Sequence, residues 1–491
     1  MAGKSPGVEA AEPILDRQDL LKPDAIGIAQ ATVIGMATSA PAATVAISLA
    51  VIAATTAYSS GLILLIAAIP MLIIANAYRR LNLWSANCGA SFEWVGRAIS
   101  PYLGFITGWL MIAAYIIATV SGVEVLGPSV LAVFGSNSTS TWANIGIGTG
   151  VGVIMLIIAV VGIKITARTQ VGMAVVEYAI LIGFAIVGLI AVINHHPGTV
   201  SFSSGWLSVS GIGGKGDAVA GFLIAVFMFT GWDGTVYVNE EVKHRRVNPG
   251  RAAMLAVGLL AIIYTLATVG LQGTVSPKNL SSNSDDILVY VANALGGGSW
   301  AKVMALALAL SVIATTGTGI VLTARMVYGM ASYRALPAFL SNVSRRYKTP
   351  VAASIVVGVL IIALTWVYLL ATTVQNAFSD VVDVTGLLFA VFYILTAIAT
   401  IVYYRRRVVG SVWNFIILGA LPLGAAGFLV WMFVKSVMGE GASLNWSLIG
   451  VVAVGLVLML YARFGAQSPF FQIRRESDPE QAVSSGRGRH A

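Results

Sequence analysis

The sequence predicts an all-α integral membrane protein of about twelve transmembrane helices. They are arranged as two runs of five with two more at the end. Three observations carry this. Charged residues make up only 10% of the 491, against 57% hydrophobic, and so few charges cannot cover a water-facing surface. The apolar residues arrive in runs close to the roughly 20 residues needed to cross a bilayer core. Two of those runs, the first and the sixth, are interrupted in the middle by glycine or proline beside polar residues.

In chain order the spans read as 25–50, 57–78, 101–127, 143–163, 171–193, 217–239, 252–275, 302–330, 351–371, 381–404, 412–437 and 445–464. Helix is the only reading that fits them, because in lipid each segment must satisfy its own backbone hydrogen bonds. The alternation of an outer-membrane strand is absent. Residues 1–23 are polar and mixed in charge, so they read as a cytoplasmic tail rather than a leader. Residues 465–491, rich in Ser, Gly, Glu and Arg, read as a disordered cytoplasmic tail. The transporter domain is then 24–464.

The net charge of +9 is a matter of topology. With both termini cytoplasmic, only Lys215, Lys278, Lys302 and Lys435 fall outside, which leaves 25 of the 29 Lys and Arg inside. That asymmetry is the positive-inside pattern of a multi-pass protein of the cytoplasmic membrane, and it removes the nucleic-acid reading of a basic chain. Cys88 is the only cysteine, so no intrachain disulfide and no zinc cluster is spelled out. Neither a metal site nor a cofactor motif is found.

The first span contains Gly35-Met36-Ala37-Thr38-Ser39-Ala40-Pro41. Proline inside a helix removes a hydrogen bond, whereas at the start of a half helix it is well tolerated. The sixth span contains Thr230-Gly231-Trp232-Asp233-Gly234, and an acid at mid-span is costly unless it faces a cavity. The two breaks open two five-helix runs, 25–193 and 217–404, followed by extra helices over 412–464. Paired broken helices in an inverted repeat point to a solute site at the membrane midplane.

Three stretches carry a family likeness. Glu93-Trp94-Val95-Gly96-Arg97 through Pro101-Tyr102-Leu103-Gly104 to Gly108-Trp109 precedes and opens the third span. Gly231-Trp232-Asp233 through Asn239-Glu240-Glu241-Val242-Lys243 spans the sixth break and its exit. Ala324-Arg325-Met326-Val327-Tyr328 through Leu336-Pro337 and Thr349-Pro350-Val351 joins the eighth and ninth spans. Together they resemble the amino acid–polyamine–organocation transporter superfamily. The resemblance implies a leucine-transporter-like fold and alternating access around the midplane site. It also implies a substrate among amino acids, polyamines or related amines. One stretch departs from it. The glycine-rich first break of many members is replaced here by Met36-Ala37-Thr38-Ser39-Ala40-Pro41, with only Gly35 retained.

Candidate substrate-binding residues are Gly35, Ala37, Thr38 and Ser39 at the first break, whose unpaired amides and helix dipole suit an anionic group. At the sixth they are Phe227, Thr230, Gly231, Trp232 and Asp233, offering carbonyls, an aromatic lid and a carboxylate for an ammonium. Glu177 in the fifth span and Asp233 are the candidate proton carriers, since intramembrane acids mark such relays. Glu177 stands where some relatives keep a titratable lysine. Its bland alternative is a pair with Arg168 or Lys164. Thr315 and Thr316 resemble the hydroxyl pair of sodium-coupled relatives and are candidate ion ligands. Glu124, Asp380 and Asp383 read as rim acids. Glu240 and Glu241, beside Lys243, Arg245 and Arg246, read as a solvated or salt-bridged inner face.

The functional expectation is a proton-linked permease. A solute sensor on the same fold stays open, because its broken helices would bind equally. A membrane-embedded enzyme would need a catalytic motif within the spans, and none is present.

Overall fold

The computed structural model describes residues 20–56, 59–136, 140–196, 199–203, 206, 215–274, 287–371, 378–439, 442–473 and 475–476. Among these the regular structure is helical, apart from one isolated bridge between Ile26 and Val242. Eleven helices are long and apolar enough to cross a membrane. The sequence leads one to expect about twelve, and the difference is the sixth span. It is divided into Lys215–Met228 and Gly234–Tyr237, so neither piece reaches spanning length.

Most boundaries fall within a few residues of the hydropathy runs. The fifth span is the exception. It starts at Ile163, well before residue 171, because Gly162 alone (φ +142°) turns the chain between Thr141–Val161 and Ile163–Ile193. The polar residues Lys164 and Arg168 are therefore helical. The third span continues past a joint at Gly122, as Pro101–Ser121 and Val123–Val133.

The first span divides into Ile28–Thr38 and Pro41–Thr56. Pro41 opens the second half, where a missing N–H costs nothing. Ala40 is held at φ +44° to make the turn. At the sixth break Gly231 sits at φ +100°, and a Cβ there would lie 3.0 Å from the Thr38 carbonyl carbon. A Cβ on Gly35 would lie 2.8 Å from the Trp232 carbonyl oxygen. These two glycines let the breaks meet backbone to backbone. The half after the first break packs on the half before the sixth, and Ile28–Thr38 packs on Gly234–Tyr237. Two broken helices running antiparallel through one another's gaps is the geometry an inverted repeat produces.

The basic end of the bundle is tied shut below the breaks. Arg325 of the eighth span and Glu241 are both fully buried and paired, Nε to Oε2 at 2.7 Å and Nη2 to Oε1 at 3.2 Å. The Glu241 carbonyl accepts the amides of Ala25 and Ile26, just before the first span. The sequence places Glu241 on a polar face with Lys243, Arg245 and Arg246. In the structure those three cations are exposed and Glu241 turns inward, to a partner 84 residues away.

The segment after the last span also departs from expectation. Its described residues, up to 473 and then 475 and 476, dock on the bundle. Pro469–Gln472 forms a short 3-10 turn whose Phe470 stacks on Phe92 at 4.3 Å between centroids, while Phe471 packs against Phe105. Glu476 receives the Arg97 guanidinium at 2.7 and 3.0 Å. Burial works against the Arg97 charge, but Glu93 and then Glu476 outweigh it and hold the guanidinium above its ordinary range. Average composition hides this docking, because two adjacent aromatics anchor an otherwise polar segment. Residues 477–491, and residues 1–19 of the expected N-terminal tail, lie outside the described residues.

Candidate functional site

A cavity of about 80 Å³ lies where the two breaks meet. The first break contributes Thr38 and Ser39, and the sixth contributes Thr230 and Gly231, with Phe227 one turn before. Tyr115 and Thr119 of the third span, Thr315 of the eighth and Phe389 of the tenth complete its wall. Hydroxyls alternate with apolar groups, and among the described residues none lining the cavity is Asp, Glu, Lys or Arg. The cavity runs along residues 43–47 and 118–125, away from the Glu241–Arg325 pair.

The backbone of the first break is satisfied from outside and from within. The amide of Ser39 returns to the Met36 carbonyl and that of Ala40 to the Ala37 carbonyl. The next donors are claimed by other spans. Ala42 donates to Glu177 Oε1 at 2.9 Å, and Ala43 to Ser311 Oγ at 3.3 Å. On the other side of the gap, Thr315 Oγ1 donates to the Ala37 carbonyl at 2.8 Å. The amides expected to hold an anion are thus engaged. What remains facing the cavity is the Ser39 hydroxyl, buried and without a partner.

Glu177 is fully buried against the start of the second half helix. Its carboxylate meets one amide and the positive end of a helix dipole, which favours an acceptor there. Ser311 stands beside it, and Oε2 has no partner. The pair with Arg168 or Lys164 does not form among the described ion pairs.

Asp233 is equally buried but sits behind the cavity wall rather than on it. Tyr237 donates to its Oδ2 at 2.5 Å and Tyr393 to its Oδ1 at 2.7 Å. Trp232 also faces away. It stacks on Tyr393 at 5.2 Å and meets Tyr78 edge-on at 5.1 Å. Gly35 and Ala37 do not line the cavity. Gly35 serves the close approach to Trp232, and Ala37 presents its carbonyl to Thr315. The hydroxyl pair divides too, since Thr316 Oγ1 turns back to the Val312 carbonyl within its own helix.

The structure thus gathers Thr38, Ser39, Phe227, Thr230, Gly231 and Thr315 on one cavity. It places Glu177 and Asp233 behind that cavity at separate positions, each holding one of the breaks. Glu124 accepts from Tyr368 at 3.0 Å, while the side chains of Asp380 and Asp383 lie outside the description. Sequence reasoning missed Tyr115, Tyr393 and Ser311. No local signal names them, because each comes from a helix distant in sequence. Tyr237, four residues after Asp233 on the same short helical segment, was within reach of the i, i+4 rule.

Comparison with known proteins bears on the family and the fold. The family model described as amino acid permease matches residues 28–459. The low-affinity putrescine importer PlaP of Escherichia coli (strain K12) is 25% identical over 330 residues, 63% of this chain and 68% of that protein. The vacuolar cationic amino acid transporter 4 of Arabidopsis thaliana is 24% identical over 323 residues, 61% of this chain and 51% of its own. Asc-type amino acid transporter 1 of Mus musculus is 30% identical over 141 residues, 29% of this chain. The match spans only 26% of that mouse protein's length. Among solved structures, MhsT in complex with L-phenylalanine superposes with a TM-score of 0.58 at 14% identity, covering 82% of this chain and 98% of that one. That likeness fixes a leucine-transporter-like fold. With the family model covering nearly all the spans, the chain belongs to the amino acid permease family within the amino acid–polyamine–organocation superfamily.

Proposed function

We propose that this protein is a secondary transporter carrying a small amino acid, with an uncharged side chain, across the cytoplasmic membrane by alternating access. One observation carries the substrate reading. The cavity between the breaks is small, walled by hydroxyls and apolar groups, and among the described residues no charged side chain lines it. A zwitterion brings its own opposite charges and needs hydroxyls, carbonyls and shape. A diamine or a cationic side chain would need a facing acid. Asp233 stands behind the cavity wall, and two tyrosines already occupy its oxygens. At about 80 Å³ the cavity suits a solute of a few heavy atoms, since about 150 Å³ accepts a benzene ring. Ser39, with its free buried hydroxyl, is the polar contact, and Phe227 and Phe389 are the apolar walls.

For energy we favour protons, with Glu177 the coupling residue and Asp233 second. Glu177 has a carboxylate oxygen without a partner at the hinge of the first span, whereas each Asp233 oxygen already accepts from a tyrosine. Thr315 holds the other side of the same hinge from the eighth span. Both termini are taken as cytoplasmic from the distribution of Lys and Arg.

Reconstitution in proteoliposomes tests the proposal. Labelled alanine or serine should accumulate when an inward proton gradient is imposed and should exchange in counterflow, and putrescine and arginine should not compete. Binding without counterflow would make the protein a sensor. Competition by putrescine equal to that by alanine would overturn the substrate class while leaving transport intact.

A further inference from the structure

The outer surface of the bundle carries a second concavity that shares no residue with the central cavity. A groove of about 370 Å³ runs between the second span, Ser60–Trp84, and the start of the eleventh. Ile69, Leu72, Ile73, Ile417 and Leu421 line it along its length, and Asn76, Arg79 and Arg80 close one end. Ile69 is 56% and Leu421 42% exposed, so the apolar part opens toward lipid. Ile417 lies in a π-helical turn, Phe415–Ala420, where the eleventh span begins.

Among the described residues the charged end has no acidic ion-pair partner. The described ion pairs engage Arg97 and Arg325, and neither Arg79 nor Arg80 is among them. Arg79 places Nε and Nη2 on the single Asn76 Oδ1, at 3.1 and 2.9 Å. The Nε of Arg80 is buried and has no partner. Arg251, from the seventh span, adds a third guanidinium close to Arg79. Like charges gathered at the edge of a low-dielectric region repel strongly unless an anion joins them. An apolar channel that ends in arginines on the basic side of a bundle matches one chemistry, a fatty acyl chain attached to a phosphate.

We propose that this groove holds an anionic phospholipid, with its phosphate on Arg79 and Arg80 and one acyl chain along Ile69, Leu72, Ile73 and Leu421. The ligand is a structural lipid of the basic leaflet and takes no part in the transport cavity. It bridges the second and eleventh spans directly. Arg80 is in turn tied to the end of the tenth span by Tyr404, whose hydroxyl donates to the Arg80 carbonyl at 2.8 Å.

Native mass spectrometry of the full chain in mild detergent tests this, with phosphatidylglycerol and phosphatidylcholine of equal chain length as probes. Phosphatidylglycerol should be retained and phosphatidylcholine lost. The double variant Arg79→Gln/Arg80→Gln should weaken retention by about thirtyfold, the weight of two interfacial cations. Ile73→Trp keeps both charges and fills the groove, so it should also release the lipid. That variant decides the matter if the double variant fails to fold. Equal retention of the two lipids would overturn the proposal, as would unchanged binding in Ile73→Trp. Full displacement by millimolar inorganic phosphate would show a bare anion site instead of a lipid groove.

Discussion

The break in the first span and the break in the sixth face each other across one cavity, yet each is held open in its own way. The first has no acid of its own. Its ends are satisfied by Glu177 from the fifth span and by Ser311 and Thr315 from the eighth. The sixth carries its own carboxylate, and that carboxylate is tied by Tyr237 on the same segment and Tyr393 on the tenth span. One hinge is therefore held by side chains of other spans, Glu177 from its own repeat and Ser311 and Thr315 from the second, the other mostly by an aromatic cluster around itself. A hinge held by other helices opens when those helices move. A hinge that carries its own lock moves as a unit. The asymmetry suits a transporter in which the first span's break senses the relative position of the bundle.

The largest effect should come from the tie beneath the sixth break. Arg325→Met leaves Glu241 buried without its partner, and stranding one member of a buried pair costs about 3–5 kcal/mol. Thermal unfolding in detergent should show it. The double variant Glu241→Gln/Arg325→Met should recover most of the loss, because neither residue is then charged. If the double variant is no better than the single, the pair positions backbone at Ala25 and Ile26 rather than balancing charge.

Next comes the lock on the sixth break itself. Asp233→Ala strands two buried tyrosine hydroxyls, at about 1–3 kcal/mol each. Asp233→Asn keeps one carbonyl acceptor and should lose clearly less. Transport by Asp233→Asn should persist if the residue is a lock. Abolished transport together with wild-type stability would instead make Asp233 a working part of the cycle and erase the contrast drawn above.

Smaller again are the contacts that hold the first break. Glu177→Ala leaves the Ala42 amide without its acceptor, about 1–3 kcal/mol, and Thr315→Val removes one donor to the Ala37 carbonyl, about 0.5–1.5 kcal/mol. These residues act on opposite sides of one gap, so a double-mutant cycle between them should show coupling. Strict additivity would mean that the two halves of the first span are held independently.

How far the sequence foretells these details follows from the range over which each signal acts. Hydropathy is a local sum, so the spans are legible, and so are the breaks at Pro41 and Gly231, where a single residue type disturbs a helix. The short sixth pieces are visible as a break but not as two helices too short to count. The central cavity was legible as a meeting of breaks, because inverted topology brings them together whatever the side chains. Partner choice was not legible. Nothing near Glu241 names Arg325, and nothing near Glu177 names Ala42, because both contacts depend on the packing of helices far apart in sequence. The engaged amides of the first break illustrate the same limit. From the sequence they look free, and only the fifth and eighth spans reveal who takes them.

The smallest effect on stability belongs to Glu177→Gln, and it separates structure from coupling most sharply. Glutamine keeps an oxygen that can accept from Ala42, so the cap survives and unfolding should shift by no more than about 1 kcal/mol. The substitution removes the charge at the helix end and the ability to take up a proton. If ionisation of the carboxylate strengthens this brace and protonation weakens it, the fixed neutral side chain leaves the hinge in the weakened condition at every pH. Uptake by the wild type should then rise as the outer solution is acidified. The variant should show a flat profile and lose accumulation against a gradient, while substrate still stabilises it in a thermal-shift titration. Differential affinity between two conformations is what permits such control, and a proton that binds both alike would shift nothing. A variant that keeps the wild-type pH profile would reduce Glu177 to a helix cap. The search for the coupling group would then move to Asp233, whose lock on the sixth break would have to open in every cycle.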